Sequence, residues 1–213
     1  MDRFFDSNNP LMRFLSLLVD LVILNIMTVV CVIPVVTAGA SLTAMNYVLL
    51  HLRRKDETYV TRMFRKSLKD NFRQGIPEGL LFLLMVLVTA VDLWAMRASE
   101  SRLLTFMMIL ITIIAGFLFV VFVYIFALQS RYENTVKGTI LNAFKLAVAN
   151  LPRTVLMMVI WIFWILVLVY YHRAALLVFL IYGFTLPGYL CAMLYDPVFA
   201  RLEKTDNRED ILE

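Results

Sequence analysis

Cysteine is nearly absent from this sequence, with two residues in 213, and so is histidine, with two. Cys31 and Cys191 lie far apart inside apolar runs, which excludes a disulfide framework and a cysteine-rich metal motif. No glycine-rich phosphate loop, nucleophile elbow or paired-carboxylate motif occurs, so neither an enzyme nor a cofactor site is expected. Charge is scarce too: 17% of residues are charged and 62% are hydrophobic, where soluble domains carry about a quarter charged residues. What fills the chain instead is apolar sequence in long runs. A hydrocarbon core of about 30 Å needs roughly 20 apolar residues per helix. The chain therefore reads as an all-α, multi-pass membrane protein, one integral membrane domain over residues 1–213 with little room for a soluble one.

Punctuation divides the runs. Asn9-Pro10 offers a helix cap followed by a proline suited to the first turn, and opens a span over about 14–33 that Pro34 ends. The stretch 34–52, beginning with the small residues Thr37-Ala-Gly-Ala-Ser41, is either a second span or a re-entrant segment. Further spans are expected at about 76–96, 103–128, 154–171 and 174–194, the last interrupted near Pro187, before a charged tail at 196–213 that should fray. No small-residue cleavage site follows the first apolar run, so that helix is expected to remain as an anchor.

Two polar stretches between spans carry helical periodicity. Over 56–73, Val60, Phe64, Leu68 and Phe72 recur every fourth residue, with Arg62, Arg65, Lys66, Lys69 and Arg73 around them. This is a basic amphipathic helix suited to an anionic membrane surface or a docking partner. Over 131–151, Val136, Ile140, Phe144, Ala147 and Leu151 mark a second. Six spans place 17 of the 20 Lys and Arg residues on one side and only Arg97, Arg102 and Arg173 on the other; five spans give 15 to 5. The positive-inside rule favours six, arranged as three hairpins joined by cytoplasmic amphipathic helices, with both termini cytoplasmic. The basic residues are thereby explained without nucleic acid. Each hairpin begins near an Asn and a Pro and ends near a tyrosine (Tyr47, Tyr132, Tyr195), a pattern that an internal repeat would produce, as would the ordinary need for caps at helix entry and tyrosines at the interface.

Few polar residues fall within the spans. Asp20 lies about two turns into the first, where an Asp costs roughly 2.5–3.5 kcal/mol at a helix centre. It is the leading candidate for a proton or cation site, with an interhelical hydrogen bond as the structural alternative, and Asn25 stands five residues on. Glu78, after Pro77, reads as a first-turn carboxylate favoured by the helix dipole, and Asp92 as an interfacial group near Trp94 and Arg97. Gln129-Ser-Arg131-Tyr-Glu133-Asn134 is a polar cluster in which Arg131 and Glu133 either fasten the cytoplasmic layer or form a docking surface. His51 and His172 are expected on opposite membrane faces, against a shared metal site or relay.

Asn9-Pro10-Leu-Met-Arg13-Phe14, Pro34-Val-Val-Thr-Ala-Gly-Ala-Ser41, Phe64-Arg-Lys-Ser-Leu-Lys-Asp-Asn71-Phe72, Leu128-Gln-Ser-Arg131-Tyr-Glu133-Asn134-Thr135, Asn150-Leu-Pro152-Arg153-Thr154 and Leu186-Pro187-Gly-Tyr189-Leu190 together resemble the YesL-like family of bacterial membrane proteins, a family of unknown function. The resemblance runs over about 4–204, with Tyr132 where the family pattern favours Phe. It implies a multi-pass protein of the bacterial plasma membrane, acting as an accessory or scaffolding subunit of a carbohydrate (ABC-type) importer, and it supplies no catalytic residues. Besides the lipid bilayer, a sugar importer or a homo-oligomer is the expected partner. The alternative is a small secondary transporter or channel using Asp20.

Overall fold

The structure, a computed structural model, describes residues 10–54, 59–98, 101–132, 135–171, 173 and 175–209, and it is helical throughout apart from turns. Pro10 is the first residue of α1 (Pro10–Val32), where its missing N–H costs nothing. The expected cap Asn9 lies outside the described residues. Leu21, Leu24, Asn25 and Thr28 form the buried stripe of α1, spaced three and four apart as a 3.6-residue period requires. Pro34 stops the helix, and a tight turn follows in which Val35 takes a left-handed φ of 45° and the Thr37 hydroxyl donates to the Cys31 carbonyl.

The chain then forms α2 (Ala38–Arg54), the most enclosed element of the fold. Twelve of its 17 residues are buried, and it packs against α1, α3 (Val60–Asp70), α4 (Phe72–Ala98), α5 (Arg102–Gln129) and α9 (Thr185–Glu209). Its polar side chains point to different neighbours: Ser41 Oγ donates to the Thr28 carbonyl (3.2 Å), and Asn46 Oδ1 accepts from Tyr195 (2.8 Å). The crossing with α4 is made by glycines. A Cβ on Gly39 would overlap the Gly75 carbonyl and the Gly79 backbone, so the small-residue run at 37–41 serves close helix packing.

α1, α4, α5 and α7 (Leu151–Tyr170) are long and apolar enough to cross a membrane. α8 (Ala175–Tyr182) and α9, bent by 46° at a short break, make a fifth if taken as one span. Outward-facing residues such as Leu84, Leu87, Ile113, Val155 and Leu166 are exposed and apolar, as lipid contact requires. α2 falls short: 17 residues rise about 26 Å. Length and apolarity thus single out four or five of the six expected spans among the described residues.

Three expectations about local structure change, and the interruption expected near Pro187 is observed. Phe72 begins α4 and is not part of the α3 stripe, and the buried side of α3 (Val60, Phe64, Ser67) packs on protein, against α2 and α1. The second amphipathic helix, α6 (Val136–Ala149), starts at the Thr135 cap, whose hydroxyl accepts from the Gly138 N–H (3.3 Å). Its buried face is Thr139, Ala143 and Ala147; Phe144 is exposed, because only the small side chains let α6 approach α5. The last span breaks at Gly183-Phe184, ahead of Pro187, since a proline removes the bond to the carbonyl four residues back, here Gly183. That carbonyl accepts from Trp164 Nε1 instead (3.0 Å). Finally, the expected frayed tail is helical through Glu209: Tyr195, Val198 and Phe199 are buried against the bundle.

Candidate functional site

The break in the last span is held by Asn25. Its Nδ2 donates to the carbonyls of Phe179 (2.9 Å) and Leu180 (2.8 Å), and its Oδ1 accepts from the N–H groups of Phe184 (2.8 Å) and Thr185 (3.3 Å). Thr185 Oγ1 adds a bond to the Leu21 carbonyl (3.0 Å). Asn25 therefore caps both helix ends at once. Asp20, one and a half turns earlier, is only half-buried and lines none of the three cavities described below. Asp92, the expected interfacial group, accepts from Thr112 Oγ1 across α4 and α5 (3.1 Å).

The polar site lies where the α3–α4 junction meets the end of α5. A cavity of about 460 Å³ opens there. Lys66, Arg73 and Arg131 bring positive charge to its wall, Asp70 is the one carboxylate among the described residues, and Tyr47 and Tyr132 supply aromatic rings. Ser67, Asn71, Gln74, Gln129 and Ser130 complete the polar lining. A neighbouring cavity of about 250 Å³ shares Tyr47, Ser130 and Arg131 and adds His51 and Arg54. Sequence-expected residues from separate stretches thus meet: Lys66 and Arg73 from the basic amphipathic segment, and Arg131 from the polar cluster. Arg62, Arg65 and Lys69 are exposed on α3 outside the cavity wall. Glu133 lies outside the described residues, as does His172.

Arg131 is positioned from α9. Asp196 Oδ2 accepts from Arg53 Nε (2.9 Å), Asp196 Oδ1 from Arg54 Nε and Nη2 (3.2 and 3.0 Å), and Arg131 Nη1 stands 3.9 Å from Oδ1. Asp196 thus draws three guanidinium groups to one place. The tyrosines that marked the ends of the three hairpins converge here as well. Tyr47 and Tyr132 line the cavity; Tyr195 is fully buried, stacked near Phe199, which meets the Tyr132 ring edge-on.

Behind the cavity floor sits Glu78, the carboxylate expected in a first helical turn. α4 runs unbroken through Pro77 from Phe72, so Glu78 lies in its second turn and is 1% exposed. The Gln129 amide, with its nitrogen toward Glu78, donates to Glu78 Oε2 and to Thr43 Oγ1 (2.9 Å) and accepts from the Gly75 N–H (3.2 Å). The opposite orientation satisfies only the Thr43 hydroxyl. Glu78 Oε1 has no hydrogen-bond partner among the described residues. Intramembrane ionisable groups are candidates for functional sites by default, so Glu78 stands beside Asp20 as one. A third cavity, about 180 Å³ and almost wholly apolar, is lined by Phe82, Phe119, Trp161, Trp164 and Phe184 among others. Among the described residues, no group of three or more His, Cys, Asp or Glu side chains converges as a metal site would require.

Residues 21–93 match the model of a family described as a protein of unknown function, DUF624. The matched stretch runs from the buried stripe of α1 through α2 and α3 to α4, and it contains the Gly39–Gly75–Gly79 crossing and Glu78. Arg131 and Asp196 fall outside it. No curated protein and no solved structure matches the chain.

Proposed function

We propose that this chain is an accessory or scaffolding subunit of the bacterial plasma membrane, held by its apolar helices and presenting its basic surface to another membrane protein on the cytoplasmic side. The topology that goes with this reading has six crossings, with α2 as the inner one and both termini cytoplasmic; the 17-to-3 split of Lys and Arg supports it. The observation that carries the reading is the concentration of Arg53, Arg54, Lys66, Arg73 and Arg131 around one open polar cavity, flanked by the exposed Arg62, Arg65 and Lys69. Such a surface suits a partner with an acidic cytoplasmic face. A carbohydrate ABC-type importer is the partner implied by the YesL-like resemblance, and the DUF624 match is compatible with it. A photo-crosslinking residue at Arg65 should capture a sugar-uptake protein in native membranes. Adducts to lipid or to a second copy alone would remove the importer from the proposal.

One observation favours a secondary transporter or channel as the second reading. Glu78 is buried within a span, and Gln129 connects it to the cavity. In proteoliposomes that show flux of a candidate sugar, Glu78→Gln should abolish it while Asp20→Asn leaves it near the parent level. Flux unchanged by Glu78→Gln would take Glu78 out of the mechanism.

A further inference from the structure

We infer that the cavity between the α3–α4 junction and the end of α5 binds a phosphate group carrying a small hydroxylated moiety, of the glycerol phosphate type. This assignment does not depend on which protein the basic surface meets. Charge comes first. Lys66, Arg73 and Arg131 face the space from three different elements (α3, α4 and the end of α5), and among the described residues Asp70 is the one carboxylate in the lining. A carboxylate ligand is satisfied by a single guanidinium fork; a phosphate, whose two (diester) or three (monoester) non-bridging oxygens are arranged tetrahedrally, can use cations approaching from several sides.

Shape and hydrogen bonding specify the rest. The cavity, at about 460 Å³, exceeds what a bare phosphate fills. Several of its uncharged polar groups have already spent their donors. Asn71 Nδ2 donates to the Ser67 carbonyl (3.0 Å) and to Ser67 Oγ (3.2 Å), and Ser130 Oγ donates to the Ala127 carbonyl (2.7 Å). What Asn71 and Ser130 still offer is acceptor oxygen, joined by the Asp70 carboxylate, and acceptors recognise hydroxyl groups. Cations for the phosphate and acceptors for its hydroxylated neighbour thus line one space.

This chemistry has two sources: the headgroup of phosphatidylglycerol, reached from the bilayer surface, and a soluble phosphomonoester. The test has one arm for each. The full chain in phosphatidylcholine nanodiscs is titrated with glycerol 3-phosphate by calorimetry. In parallel, the chain in neutral detergent with equal phosphatidylglycerol and phosphatidylcholine is analysed by native mass spectrometry for retained lipid. Lys66→Gln with Arg73→Gln is compared with Arg65→Gln with Lys69→Gln, which removes the same charge from residues off the cavity wall; all four side chains are exposed, so folding is not at stake. Saturable binding in at least one arm is expected, weakened about 10- to 30-fold by the cavity pair and less than about 2-fold by the control pair. Binding in the lipid arm alone identifies the headgroup; binding in the soluble arm alone identifies the free phosphate. Equal losses for both pairs would reduce the site to diffuse surface charge, and no selective binding in either arm would overturn the inference.

Discussion

Gly39→Ala is expected to destabilise the protein by about 3 kcal/mol or more, the upper end of what overpacking costs. The reason is geometric. In an ordinary core an added methyl group meets the ends of side chains, which rotate away. At Gly39 it meets the Gly75 carbonyl and the Gly79 N and Cα, and backbone cannot rotate away without moving a helix. The reciprocal positions are equally closed: a Cβ on Gly75 would overlap the backbone of Ala40, and one on Gly79 the backbone of Gly39. Gln129 bridges Thr43 on α2 and Glu78 on α4, so separating those two helices would also break one of its contacts. Gly116→Ala on α5 is the control, because the nearest atom there is the flexible Met158 Cε at 3.4 Å. It should be neutral or gain up to about 1 kcal/mol from helix propensity. Thermal unfolding in detergent, followed by loss of monodisperse protein, separates the two; a Gly39→Ala midpoint equal to the parent's would show that α2 and α4 do not meet in this way.

The membrane class and the long lipid-facing helices were legible because they depend on composition and run length, which packing does not alter. α5 was placed to within a residue at each end, and the basic character of α3 was read directly from its sequence. Missed features depend on neighbours that no local pattern reveals. Glu78 looked like a first-turn residue because Pro77 resembles a helix start; in the fold, the preceding turn from Phe72 is already helical, and the proline sits inside it. Asp196 looked like the head of a loose tail because charged residues follow it, yet its position is decided by Arg53, Arg54 and Arg131 from two distant segments. The α6 register slipped by one residue because Val136, Ile140 and Phe144 are the larger apolar residues, whereas close approach to α5 selects the small ones. The cavity itself was half visible: its cations were singled out in two separate motifs, and only the tertiary contacts among α2, α3, α4 and α5 put them into one wall.

Asn25→Ala is the second large effect, expected at about 3–5 kcal/mol. A helix broken within a membrane exposes carbonyls at the end of one half and N–H groups at the start of the other, and lipid offers them no partner. Here those groups are the carbonyls of Phe179 and Leu180 and the N–H groups of Phe184 and Thr185, and one fully buried side chain serves all four. Leaving a buried backbone group unpaired costs on the order of 1–3 kcal/mol. The sum is smaller than four such losses, because the Phe179 carbonyl keeps its bond from the Gly183 N–H (2.8 Å). Asn25→Asp is informative beside it. A carboxylate still accepts from Phe184 and Thr185 but turns an oxygen toward two carbonyl oxygens, so it should be at least as damaging as alanine despite its matching shape. Asp20→Asn, on the same helix but without a place in this network, should change stability by less than about 0.5 kcal/mol. If Asp20→Asn and Asn25→Ala shifted the unfolding midpoint equally, Asn25 would not be the cap of the broken span.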